Sequence, residues 1–337
     1  MSAVSSCKRL LPPITVFGAL ASTTIAFRSL ENRDISDSEL KNNISALQRL
    51  NAQKSTSSNK HANLKDAQTS ILAQNLHNLE TIGVTWIPKV LSTEQTTQWK
   101  QTIAKQIQKQ DETCIIPSGG AMGRIHCRLH KQHPRHIRNK EPPTDVNILH
   151  DKLASIANIP ISSSYNITLN NIAKEYFESY GISEHEYELA QLQLLKAEPK
   201  STHQEWHRDN VNPSLTVIIA LTNVGINGPT ELFLRSHKSN MDKKNDDVEY
   251  ISQNILLGTI DQGDAIVYDS RIIHRGRGYG YSSDDLKSFQ DRPVLVIRWD
   301  AKATPAPGTG LVGTQIAKLE GNLLGVAYTV MDWFNRE

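Results

Sequence analysis

The chain has 337 residues, 38% of them hydrophobic, 21% charged and 6% aromatic, with a formal net charge of +2. This composition excludes a fully disordered chain, a collagen and a small disulfide scaffold, and it leaves core enough for one large domain or two ordinary ones. The near-neutral balance argues against a dedicated nucleic-acid binder, and only one stretch approaches membrane-spanning length, which excludes a polytopic membrane protein.

That stretch lies at the start. Residues 1–30 carry Lys8, Arg9 and Arg28 and no acid, and residues 10–27 are mostly apolar, broken by Pro12, Pro13, Ser22, Thr23 and Thr24. A secretory signal peptide, a mitochondrial or plastid transit peptide and an uncleaved anchor all fit, against a plain disordered tail. Each of the three addresses predicts a compartment other than plain cytosol, and membrane attachment is expected only through this segment. Residues 31–70 are rich in Ser, Asn, Lys and Gln and read as a polar linker. The sequons at Asn43 and Asn166 arise easily by chance. Of the three cysteines, Cys114 and Cys127 are spaced for a disulfide if the chain enters an oxidising compartment, and otherwise read as unrelated thiols.

The folded domain is expected over residues 71–337. Residues 76–79 predict a short helix, followed by a strand through Val84 and Trp86 that Pro88 ends. Ser92-Thr93-Glu94-Gln95 is an N-cap signature for a helix to about Gln110. Gly119, Gly120 and Gly123 mark a loop that lacks the GK[ST] of a phosphate-binding loop. From Arg124 to Lys140 the chain is basic, with Arg124, Arg128, Lys131, Arg135, Arg138 and Lys140 among His126, His130, His133 and His136. It reads as a cradle for an anionic substrate group or, more simply, as a solvated loop or strand face. A helical metal site there lacks a carboxylate and is broken by Pro134. Helices are predicted over residues 150–156 and 169–180, then strands over 189–195, 215–221, 230–234, 265–268 and 294–299. Many short strands with polar turns predict an antiparallel barrel or sandwich, with a C-terminal amphipathic helix over 314–333 packed outside it.

The chemistry concentrates in His203-Gln204-Glu205-Trp206-His207-Arg208-Asp209. On a strand, residues i and i+2 share a side, so His207 and Asp209 present an imidazole and a carboxylate together. That is two-thirds of a 2-His-1-carboxylate site, which holds iron(II) and leaves positions open. His274, read as closing an apolar strand, offers the third ligand, and an arginine on the next strand, Arg292 or Arg298, suits a carboxylate. His203 reads as a loop residue beside the ligands, and His237 as a hydrogen-bonded structural histidine.

In three stretches the chain resembles the phytanoyl-CoA dioxygenase family: Gln204 to Asp209; Asn227-Gly228-Pro229-Thr230-Glu231 with Ser236-His237-Lys238; and Gly263-Asp264 through His274-Arg275-Gly276 to Arg292-Pro293. The opening around residues 82–93 is also similar. The resemblance spans roughly residues 76–300. It implies a mainly β double-stranded β-helix (jelly-roll, cupin-like) core with flanking helices, and iron(II) held by His207, Asp209 and His274. It further implies 2-oxoglutarate held by Arg292, with Arg298 in reserve, O₂ as oxidant and ascorbate as a supporting reductant. Gln204, Thr230 and Trp206 line the pocket on this reading, although Trp206 fits a core position equally. The implied reaction hydroxylates a small-molecule or lipid-like substrate, an acyl-CoA among the candidates, and releases succinate and CO₂. Asp209 argues against the halogenating variant, which leaves that iron position open. Two departures stand out. Arg277-Gly278-Tyr279-Gly280-Tyr281 replaces the family's asparagine after His274-Arg275-Gly276, and residues 282–290 lengthen the gap before Arg292. A catalytically silent jelly-roll and a peptidyl hydroxylase with the same iron chemistry are the alternatives. Substrate identity and oligomeric state are not legible in the sequence.

Overall fold

The computed structural model describes residues 64–108, 115–117, 123–129, 145–161, 166–199, 201–225, 228–238, 254–278 and 291–307. The N-terminal targeting segment, most of the polar linker, the helix expected over 314–333, residues 130–140 of the basic stretch, Cys7 and Cys114 lie outside these. Among the described residues no helix is long and apolar enough to cross a membrane.

The described chain opens with α1 (Leu64–Ile82), much longer than the helix expected at 76–79. Its inward face hides from an apolar pattern because two of its buried residues are asparagines. Thr85 donates to Asn75 Oδ1 at 2.8 Å, and Asn78 donates to Thr85 Oγ1 at 3.3 Å. Gly83, at φ 83°, ends the helix, and its N–H reaches the carbonyls of Asn78 and Leu79. A side chain there would also collide with the His237 ring. β1 (Val84–Ile87) follows, then α2 (Thr93–Gln108). Ser92 and Gln95 cap that helix reciprocally, at 3.2 and 2.8 Å, as their spacing predicts. α3 (Asp145–Ile156) and α4 (Leu169–Glu178) are the other two α-helices among the described residues.

The remaining strands are β2 (Ile115–Pro117), β3 (Arg124–Leu129), β4 (Tyr187–Ala197), β5 (Ser214–Ala220), β6 (Thr230–Phe233), β7 (Ile255–Gly258), β8 (Ala265–Asp269), β9 (Ile273–Gly276) and β10 (Arg292–Ala301). They form a seven-stranded sheet, ordered β1-β8-β5-β10-β4-β3-β2, and a three-stranded sheet, ordered β7-β6-β9, with every pairing antiparallel. An isolated bridge between His207 and His274 adds the His207 segment beside β9. Consecutive strands thus cross between two facing sheets, which is a double-stranded β-helix with flanking helices.

The large sheet has two unlike faces, as the period of two requires. One face carries Cys127, Leu192, Leu194, Leu215, Val217, Val267, Leu295, Ile297 and Trp299 into a core shared with Trp99, Ile103, Leu153, Ile172 and Phe177 of the helices. The other face looks toward the small sheet. There the register aligns Arg128, Gln193, Val296, Ile218 and Ile266 across five strands, with Arg298, Thr216 and Tyr268 one step along. That face is lined with charge and amide at one side and hydrocarbon at the other.

Candidate metal centre and arginine-lined cavity

The strand expected over 265–268 is β8 of the large sheet, and His274 does not close it but lies on β9 of the small one, where the turn between the two strands aims it inward. Asp269 makes that turn. Its carboxylate accepts from the Arg271 backbone N–H and Nε, both at 2.9 Å, and from Tyr176 Oη at 2.8 Å, while Ile272 N–H donates to the Asp269 carbonyl. β9 is held in register by the buried Glu231, whose carboxylate takes Arg275 and Arg277 together.

Residues 203–213 are not a regular strand either. His207 and His274 exchange both backbone hydrogen bonds, each 2.9 Å. Immediately beyond, the N–H groups of Asp209 and Asn210 bend onto the Ser270 carbonyl. Asn210 Oδ1 then caps the N–H groups of Val211 and Asn212 at 2.8 and 3.1 Å. The expectation that His207 and Asp209 share a side holds even so.

The side chains of His207, Asp209 and His274 converge, with one donor atom from each lying within 4.8 Å of the others. His207 Nε2 is 3.9 Å and His274 Nε2 3.7 Å from Asp209 Oδ1. The outer ring nitrogens are occupied. His207 Nδ1 lies 2.7 Å from the Glu205 carbonyl, and His274 Nδ1 lies 3.1 Å from the Ile272 carbonyl. Both are therefore N–H donors, which leaves each Nε2 lone pair facing the centre, the tautomer a metal requires. Asp209 Oδ2 is oriented from behind by Thr216 Oγ1 at 3.2 Å and Tyr268 Oη at 3.1 Å. Burial works against an ionised Asp209, but His274, Arg298, His207 and the Tyr268 hydrogen bond outweigh it and hold its pKa at about 2. Burial lowers His274 to about 4, against the pull of Asp209. The pair is thus carboxylate and neutral imidazole at neutral pH. Donor type, tautomer, protonation and spacing all fit a divalent transition metal.

This centre opens into a cavity of about 280 Å³ between the sheets. Arg292, Arg298, Gln204 and Thr230 line it, and Trp206 does not. Trp206 instead lies under the Arg275 guanidinium, 4.6 Å from ring centroid to carbon. His203 accepts from Gly278 N–H at 3.1 Å and His237 packs on the Glu80 carbonyl at 3.1 Å, both away from the centre. The two candidate arginines stand apart. Arg298 is at the metal end, where Asp300 meets its Nε at 3.2 Å. Arg292 begins the same strand six residues earlier, level with Gly276 and Gln204.

β3 corrects the simpler reading of the basic stretch. Arg124, His126 and Arg128 alternate on the inner face and line the cavity. Of the two readings of that stretch, Arg124 follows the cradle for an anionic group. Arg124 and Arg292 both pair in register with Ala197, so two guanidinium side chains rise over one small residue. Arg124 is 3% exposed. Its Nε donates to the Thr202 carbonyl at 3.0 Å and its Nη2 to the Arg277 carbonyl. Burial first, and then Arg292, push its pKa down to about 9. Gly276 packs against this group, and a side chain there would strike Arg124 and Gln204. The signal for Arg124 was its spacing of two from His126 and Arg128, the mark of a strand face.

No family model matches the chain, and no curated protein matches it. Among solved structures, it is similar to the non-heme alpha ketoglutarate dependent epimerase SnoN from nogalamycin biosynthesis, at 15% identity over 69% of this chain and 83% of that one, with a TM-score of 0.48. It is also similar to AviO1 from Streptomyces viridochromogenes Tue57, at 18% identity over 70% and 97%, TM-score 0.47. The non-heme alpha ketoglutarate dependent carbocyclase SnoK from nogalamycin biosynthesis gives 18% identity over 67% and 82%, TM-score 0.46. These likenesses concern the outline of the fold, and the chemistry of this chain rests on its own side chains.

Proposed function

We propose that this chain is an iron(II)- and 2-oxoglutarate-dependent oxygenase of the phytanoyl-CoA dioxygenase type, which hydroxylates a small-molecule substrate with release of succinate and CO₂. The observation that carries this reading is the convergence of His207, Asp209 and His274 on a cavity that the buried Arg124 and Arg292 also line. His207, Asp209 and His274 would hold the iron, and bound iron supplies the activation of O₂ that no side chain can provide.

The chain's own groups divide the remaining work. Arg292, assisted by Arg124, takes the far carboxylate of 2-oxoglutarate in charge-assisted hydrogen bonds. Gln204 and Thr230 flank that carboxylate, and the Gly276 N–H fixes the Gln204 amide at 2.8 Å. Arg298 stands beside Asp209 and Asp300, which leaves Arg292 as the cosubstrate arginine. Tyr268 and Thr216 orient Asp209. Val294, Ile218, Ile266, Val224 and Ile260 give the cavity an apolar wall that excludes water from the reacting carbon. O₂ would be the oxidant, with ascorbate a supporting reductant.

The test is anaerobic titration of the protein with iron(II) and 2-oxoglutarate, followed by admission of air. Wild type should develop a metal-to-ligand charge-transfer band and form succinate, and His207→Ala should do neither. A folded wild type without the band would refute the oxygenase and leave a silent jelly-roll.

A further inference from the structure

Strand β4 carries two cavity side chains to which the iron and 2-oxoglutarate give no work. Gln191 and Gln193 are two residues apart, so both project from the inner face of the large sheet, and both line the cavity. They are 3% and 8% exposed, and neither Oε1 has a hydrogen-bond partner among the described residues. In register, Arg128 and Val296 flank Gln193 and Arg298 faces Gln191, yet no guanidinium reaches either oxygen, and Arg298 is turned to Asp300. His126 Nε2, on β3, is likewise buried without a partner among the described residues. A buried amide oxygen left unpaired is costly, and what relieves it is a donor. Neither Asp209 nor the dianion 2-oxoglutarate provides one, because carboxylates and ketones only accept. A hydroxyl donates and accepts at one atom. It therefore pairs with an amide whichever end side-chain rotation presents, and with the His126 imidazole in either tautomer. Each hydroxyl has a single hydrogen, so two amides call for at least two hydroxyls. From Gln193 the same register row runs on through Val296 and Ile218 to Ile266, which are all hydrocarbon and all on the cavity. A carbon skeleton with hydroxyls along one edge matches both parts of that row.

We infer that Gln191 and Gln193, with Val296, Ile218 and Ile266, form a primary-substrate subsite for a small carbon skeleton bearing two or more hydroxyls, a polyol or a sugar ring, rather than for an acyl chain. The inference rests on the oxygenase reading, which places 2-oxoglutarate at Arg292 and leaves this wall to the substrate. Gln191 shares its register row with Thr216 and Tyr268, both bonded to Asp209, so it marks the metal end of the subsite. Gln191 and Gln193 are specificity residues in this arrangement, since they distinguish a hydroxylated substrate from one without donors.

The experiment is equilibrium dialysis of the full-length protein under argon with iron(II) and saturating 2-oxoglutarate, using 1,4-butanediol and 1,2-dimethoxyethane as probes. The two are isomers with the same two oxygens, and only the diol carries donors. Binding of 2-oxoglutarate itself is measured first. The diol should bind roughly twentyfold more tightly than the ether, the worth of two neutral hydrogen bonds. Gln191→Met and Gln193→Met keep the length of the side chain, and each should cut that ratio about fivefold. Thermal unfolding of each variant is measured alongside and should be no lower than wild type, because an unpaired buried oxygen has been removed. The wild-type ratio carries the test alone if neither variant folds. Bound 2-oxoglutarate with a wild-type ratio near one, or a ratio that both substitutions leave intact, would overturn the subsite and spare the oxygenase. Failure of 2-oxoglutarate to bind, with a preference for the diol that depends on Gln191 and Gln193, would do the reverse.

Discussion

Replacing Arg124 by glutamine should separate stability from ligand affinity. A buried guanidinium held at about 9 instead of 12.5 corresponds to roughly 5 kcal/mol of unfavourable burial. Arg124 is almost wholly enclosed, so solvent screening takes little from that figure. Its two hydrogen bonds to the carbonyls of Thr202 and Arg277 return about 1 kcal/mol each. Arg124→Gln is therefore expected to leave the ligand-free protein as stable as wild type or up to about 3 kcal/mol more stable. 2-Oxoglutarate shifts the balance back toward wild type. Loss of a charge-assisted bond weakens binding by about 2 kcal/mol, roughly thirtyfold. At a ligand concentration about a hundred times the wild-type Kd, the stabilisation on binding falls from about 2.7 to about 0.9 kcal/mol. Thermal unfolding with and without 2-oxoglutarate, in manganese(II) to prevent turnover, reads both numbers as a difference of several degrees. A variant that is destabilised without ligand yet keeps the full ligand-induced increment would refute the role given to Arg124.

Two further predictions concern the frame and its response to acid. Asp269→Asn should destabilise the protein by about 3 kcal/mol in urea unfolding, because it leaves the Arg271 guanidinium without its buried carboxylate and weakens the Tyr176 contact; a loss below about 1 kcal/mol would mean that the turn before His274 is held by other means. Burial first, and then Arg128 and Arg124, lower the pKa of His126 from 6.5 to about 3. Its folded pKa is depressed, so the unfolded chain takes up the proton first, and stability is lost as pH falls from about 6.5 toward 3. His203 and His274, both lowered to about 4 chiefly by burial, share that window. His126→Gln should therefore flatten the decline between pH 6 and 5 by about 1 kcal/mol per pH unit. An unchanged slope would show that His126 is not buried in its neutral form.

What the sequence made legible follows from where information is local. The capping box at Ser92 and the strand runs at 189–195, 215–221, 230–234 and 294–299 appear where expected, give or take an end residue or two. His207, Asp209 and His274 were legible as a set because their chemistry is rare even though their spacing is not. Three things were not. The break between β8 and β9 depends on Asp269 finding Arg271 and Tyr176, and the tyrosine is a contact across 93 residues. β3 read as a solvated face because its inward residues are cations, and only the cavity explains why charge points in. α1 was shortened because Asn75 and Asn78, not leucines, form part of its buried side.

The backbone ring that joins His207 to His274 has an evolutionary consequence. Its two hydrogen bonds involve only main-chain atoms, so any pair of residues other than proline could close it. The imidazoles hang from a frame that does not depend on them. Such a frame does not depend on either imidazole, so a single-codon change at His207 or His274 would remove a candidate ligand without removing the main-chain bonds that position it.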